Sequence, residues 1–229
     1  MFDIDAILFA VSVWALPVIV AITFHEAAHG FVARMRGDDT AYRLGRVTFN
    51  PIAHVDPVGT LLIPGALLLL GAPFLFGYAK PVPVQFSRLT NPRWDMILVA
   101  LAGPGVNILL AFVSALLFHL VAFAPEVASE WLAANLRNSI VINLVLAVVN
   151  MLPIPPLDGG RVAVGLLPYR LALPLARLER MGFLIIIGLL FILPLLGREF
   201  GLELNFLAWI IGSGVSVLFD VVVTLAGLT

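Results

Sequence analysis

Long apolar runs separated by short polar stretches set the pattern of this chain. From Ala6 to Val20 only Ser12 is polar; Thr23, His25, Glu26 and His29 follow before Arg34 and Arg36. A bilayer core needs roughly 20 apolar residues to cross it, so a first spanning helix is predicted over 6–33, with Pro17 as a kink. Residues 34–56 are a polar loop with a turn at Gly37-Asp38-Asp39. Partial alternation over Arg43–Phe49 predicts a short strand there. Residues 57–79 are apolar, but Pro57, Gly59, Pro64, Gly65, Gly71, Pro73 and Gly77 interrupt them. A re-entrant hairpin is the expectation, allowed where protein or a wet cavity satisfies the backbone. Lys80–Phe86, with prolines at 81 and 83, reads as an extended edge strand.

Further spans are expected at 94–122, 138–157, 181–197 and 204–226, with a loop over 123–137 and an interfacial helix within 161–180. The span at 138–157 unwinds at Asn150, because three prolines and two glycines follow in Asn150-Met151-Leu152-Pro153-Ile154-Pro155-Pro156-Leu157-Asp158-Gly159-Gly160. The fold class is therefore all-α and polytopic, with about five spanning helices, a re-entrant hairpin and short β-strands at the membrane edge. Residues 1–229 read as a single integral-membrane domain.

Composition agrees with this reading. Hydrophobic residues make up 61% and charged residues 12%, and mean hydropathy is +1.07, well outside the range of soluble domains. A net charge of −1 gives no sign of a nucleic-acid partner. The chain has no cysteine, which excludes disulfides, thiolate metal sites and cysteine catalysis. The opening Met1-Phe2-Asp3-Ile4-Asp5 lacks the basic start of a cleaved signal, so the first span is expected to be retained.

Ionisable side chains inside a span cost about 2.5–3.5 kcal/mol each if unpaired, so His25-Glu26-Ala27-Ala28-His29 demands a reason. Residues four apart share a helix face, and His25 and His29 can point at one ion. Glu26, one residue on, can act as general base toward a water there. An open zinc site needs a third protein ligand. The candidates are His54, His119, Asp56, Asp95, Asp158 and Asp220. Asp158 fits best: Gly159 and Gly160 permit close backbone approach, and the prolines keep its carboxylate off helix geometry. Asn107 and Asn150 can serve as packing glue between helices or as donors to a bound peptide or oxyanion. His54 is a loop hydrogen-bonder or a substrate contact.

Basic residues cluster in 34–56, 80–93 and 161–180, which the positive-inside rule assigns to the cytoplasm. The histidines lie toward the C-terminal end of their span, and Asp158 follows the C-terminal end of its own. To share one ion the two spans must run in the same direction. One of the two apolar segments between them therefore fails to cross, and 57–79 is the broken one. The active site is expected near the cytoplasmic face.

His25-Glu26-Ala27-Ala28-His29, Asn150-x-x-Pro153 and Leu157-Asp158-Gly159-Gly160 together resemble the site-2 protease family of intramembrane zinc metalloproteases, peptidase family M50. Gly103-Pro104-x-x-Asn107 resembles that family's motif on the intervening core helix. Residues 34–93 look like the loop and membrane-dipping region of the short bacterial members, without PDZ or CBS domains. The resemblance implies zinc on His25, His29 and Asp158, Glu26 as base, and a bacterial inner membrane. It also implies cleavage of a membrane-anchored protein substrate in or near its transmembrane segment. Two other readings remain at this point. A zinc- or proton-coupled transporter would also use broken helices and buried carboxylates, although no internal repeat is present. A silent membrane scaffold with a structural metal would have no use for Glu26.

Overall fold

The structure, a computed structural model, describes residues 4–63, 66 and 79–228, apart from the side chains of residues 61 and 183. Its elements are helices: α1 (Ile4–Met35), α2 (Thr40–Arg43), α3 (Pro92–Phe118), α4 (Glu126–Asn150), α5 (Asp158–Leu166), α6 (Tyr169–Arg177), α7 (Gly182–Ile187), α8 (Leu193–Glu199) and α9 (Phe206–Leu225). Four are long and apolar enough to cross a membrane: α1, α3 with the turn that follows it to Phe123, α4 and α9. Tyr169–Arg180 and Leu184–Glu199 form a pair bent by 80°, which would make a fifth span if taken as one. This is an integral membrane protein of several spans, as its hydropathy requires.

The bundle is sorted as a membrane protein must be. Ile4, Leu8, Val11 and Leu16 of α1 are exposed, while Ala21, Thr23, His25, Ala27, His29, Gly30 and Ala33 are buried. Lipid solvates large aliphatic side chains, so small residues take the helix contacts and polar ones must be shielded. The same economy holds at Ala100, Ala111, Ala115 and Ala147 of α3 and α4, all nearly inaccessible.

Contacts along the helices fix their directions. Arg36 meets Asp95, His29 meets Val99, and His25 meets Asn107, so α3 runs antiparallel to α1. Asn107 meets Asn143 and Ser114 meets Ser139, so α4 runs antiparallel to α3. Trp131 and Asn138 bond Ser12 and Val13, which sets α4 parallel to α1. α9 closes the bundle: Val222 and Ala226 pack with Ala111, Ala115, Ile140 and Leu144.

Three sequence expectations change. Among the described residues there is no β-strand, so the strands expected at 43–49 and 80–86 are not present. In the first, Val47 packs toward Gly30, and Phe49 stacks on Phe24 and lies tilted against Phe31; these side chains serve α1. The second is extended only as far as Gln85, with a 3-10 turn starting at Phe86, and the Val82 and Gln85 N–H groups go to side chains, Glu26 and Asp38. The expected loop over 123–137 is instead the first half of α4, which starts at Glu126 and docks on α1 through Trp131. The expected re-entrant hairpin at 57–79 lies mostly outside the described residues. Its flanks are close, with the Lys80 N–H donating to the His54 carbonyl at 2.9 Å.

Candidate metal centre

α1 carries His25 and His29 one turn apart, with both rings buried. The His29 Nδ1 lies 2.7 Å from the Val99 carbonyl. A carbonyl only accepts, so Nδ1 holds the proton and Nε2 keeps its lone pair. The His25 Nδ1 lies 2.6 Å from Asn107 Oδ1, with the same consequence. The two Nε2 atoms are 3.1 Å apart.

Asp158 completes the group. The chain leaves α4 at Asn150, turns through Met151–Leu157, and starts α5 at Asp158. Gly160 makes the close return feasible, because a Cβ there would meet the backbone of Ile154 and Pro155. Asp158 Oδ2 sits 3.2 Å from His25 Nε2 and 3.3 Å from His29 Nε2. It is buried and has no hydrogen-bond donor. Three buried lone-pair atoms facing one another repel unless a cation lies among them. Ligands about 2.0–2.2 Å from a tetrahedral zinc stand about 3.3–3.6 Å from each other. The observed 3.1–3.3 Å falls at and just below the short end of that range, and the donor set suits zinc.

The remaining expected residues divide. Glu26 Oε2 accepts from the Val82 N–H at 2.7 Å, so the extended segment 80–85 fixes one of its oxygens. Asn107 lies fully buried against His25. Asn150 ends α4 and donates back to the Leu146 carbonyl at 3.0 Å. His54 is buried away from this group, in the turn Pro51–His54, with Nε2 donating to the Thr48 carbonyl at 3.0 Å.

Sequence reasoning missed five contributors. Gly103 faces the histidines: a Cβ there would stand 2.5 Å from His25 Cε1 and from His29 Nε2. Val99 and Val82 act through backbone groups, which leave no mark in residue identity. Asn143, a lone amide in an apolar span, carried the same signal as Asn107 and could have been found. Arg161 lies 3.8 Å from Asp158 Oδ1 and 3.8 Å from Glu179, balancing the carboxylate from its solvent side.

Comparison with known proteins identifies the family. The profile of Peptidase family M50 matches residues 13–140 and 121–193. The chain is similar to YwhC of Bacillus subtilis, 40% identical over 187 residues that span 79% of this chain and 80% of the relative. It is 30% identical to Rip2 of Mycolicibacterium smegmatis over 182 residues, 80% of this chain and 67% of that one. It is 36% identical to MJ0611 of Methanocaldococcus jannaschii over 139 residues, 61% and 62% of the two chains. Each of the three is named as an inferred zinc metalloprotease. No solved structure matches.

Proposed function

The chain belongs to peptidase family M50 as a zinc metalloprotease of the site-2 type, and from that footing we propose that it cuts membrane-anchored proteins in or beside their transmembrane segments. His25, His29 and Asp158 hold the zinc in this reading, and Glu26 is the general base. The observation that carries it is the convergence of three buried donor atoms at 3.1–3.3 Å beside a tethered carboxylate.

Zinc supplies Lewis-acid polarisation of the attacking water and the scissile carbonyl. Glu26 accepts the water's proton and delivers it to the leaving amine. With Oε2 held by the Val82 N–H, Oε1 is the oxygen left for proton transfer. Asn150 and Asn107 have separate assignments: Asn150 ends α4 just ahead of the turn to Asp158 and donates to the substrate backbone or oxyanion, while Asn107 orients His25. His54 holds the loop that borders the substrate path. The cut releases a fragment from an anchored regulator, as in regulated intramembrane proteolysis, at the cytoplasmic face of a bacterial inner membrane.

The test pairs metal analysis with cleavage. Purified protein is expected to hold about one zinc per chain, lost in His25→Ala, His29→Ala and Asp158→Ala. Glu26→Gln is expected to keep zinc and fold but to lose about 10²–10⁴ in turnover of a co-expressed single-span protein. Cleavage at the wild-type rate by Glu26→Gln, with contaminating protease excluded, overturns the base assignment. Full zinc in Asp158→Ala removes Asp158 from the ligands.

A further inference from the structure

We propose that Asn143, which is not itself a donor to the metal, is a positioning residue that sets the tautomer of His25. The proposal rests on the reading of His25 as a zinc ligand. Its basis is a directed chain of hydrogen bonds through the membrane interior, each link anchored by a group that can act in only one sense.

The chain starts at Ser139. Its carbonyl only accepts, so the Asn143 amide nitrogen must face it, at 2.9 Å. Asn143 Oδ1 is thereby turned the other way, toward Asn107 Nδ2 at 2.7 Å. The Ala21 carbonyl, also acceptor-only, takes the second Nδ2 proton of Asn107 at 3.2 Å. Both protons of that amide are then committed, and its oxygen alone faces His25 Nδ1 at 2.6 Å. An oxygen there requires a proton on Nδ1, which leaves Nε2 free for the metal. Asn107 and Asn143 are both fully inaccessible, so water cannot replace a missing link.

Removing the Asn143 oxygen strands one Nδ2–H of Asn107 in an apolar surrounding. Only Ala21 then opposes rotation of that amide. Once rotated, Asn107 presents a donor to His25 Nδ1, the ring proton moves to Nε2, and it stands where the metal binds. Asn143 sits one bond further out than the partner that touches the ligand, so an effect at the lower end of the 10–100-fold seen for outer-shell partners is expected.

The experiment reads metal affinity and ring protonation of the full-length protein in lipid nanodiscs, without any cleavage assay. In zinc-free wild type, nitrogen NMR of His25 is expected to show the Nδ1–H form; an Nε2–H form overturns the proposal. Asn143→Leu and Asn143→Ala are expected to weaken zinc binding about ten-fold in chelator competition and to raise the Nε2–H share. In an Asn107→Ala background, the same Asn143 substitutions should have no further effect, because Asn143 acts through Asn107. An equal loss in both backgrounds would assign Asn143 to packing and sink the proposal. Zinc retained by His25→Ala would fell the ligand reading itself, a result distinct from the tautomer measurement.

Discussion

At the scale of single residues, the chemistry was legible because it breaks the rules of its surroundings. Histidines and a carboxylate inside a lipid-facing run have no bland explanation, and Asp158 stood out by its glycines and prolines. Gly103 shows what was not legible. In the sequence Gly103 entered only as part of a motif on the core helix, whereas the structure gives the glycine a contact: no side chain fits between α3 and the two imidazoles. Gly105, two residues on, has open space around its Cβ position. The pair makes a controlled prediction. Gly103→Ala must push His25 or His29 aside, and its zinc affinity should fall by at least ten-fold in chelator competition. Gly105→Ala should bind zinc as wild type does. Equal affinities for the two variants would mean that the rings yield without cost.

At the scale of elements, the long helices were legible and the connections were not. Hydropathy finds spans because lipid demands an apolar surface. It says nothing of a segment whose partners lie elsewhere in the chain. The edge strand expected at 80–86 is absent; the chain is extended only as far as Gln85, and two carboxylates from positions far away in sequence hold it. Burial pushes the Asp38 carboxyl up. Hydrogen bonds from the Thr40 hydroxyl and from the Gln85 and Thr40 N–H groups, with the charge of Arg88, outweigh that and hold it below the usual carboxylate range. The Asp38 tie is thus complete above the ordinary carboxylate pKa near 3.9 and is lost only as pH falls through the lower native value. Glu26 provides the other tie. If the Val82 N–H steadies the base, Val82→Pro should lower turnover about ten-fold, since a hydrogen bond to a charged group contributes roughly 1.5–3 kcal/mol. Zinc content should stay unchanged. The segment already lies between Pro81 and Pro83, so a third proline suits its extended backbone. Val82→Ala keeps the N–H and should cut at nearly the wild-type rate. Matching losses in the two variants would point to packing against Gly30 instead.

At the scale of the whole molecule, function depends on which ends of the helices share a face. α1 and α4 run parallel with α3 antiparallel between them, so the C-terminal ends of α1 and α4 meet, and Asp158 follows directly. The long connection from α1 to α3 begins and ends at that same face: the Thr90 N–H donates to the Arg36 carbonyl at 2.8 Å, and His54 and Lys80 are bonded across the segment between them. The described flanks of that segment therefore lie close together at this face. Eleven of the thirteen Lys and Arg residues, four in 34–56, three in 80–93 and four in 161–180, fall on segments joined to this face. The positive-inside bias supports the proposal that this face is cytoplasmic; on that proposal the metal centre lies within reach of cytoplasmic water and of substrate ends on that side. Topology reporters inserted at residues 40 and 85 should both read cytoplasm, and a third in the Phe118–Glu126 connection should read the opposite side. Reporters at 40 and 85 on opposite sides would separate Arg36 from Thr90 and dismantle the shared face. All three signals reversed would keep the fold and the metal centre intact, but would move the site to the outer side and require substrates that present their cleavable end there.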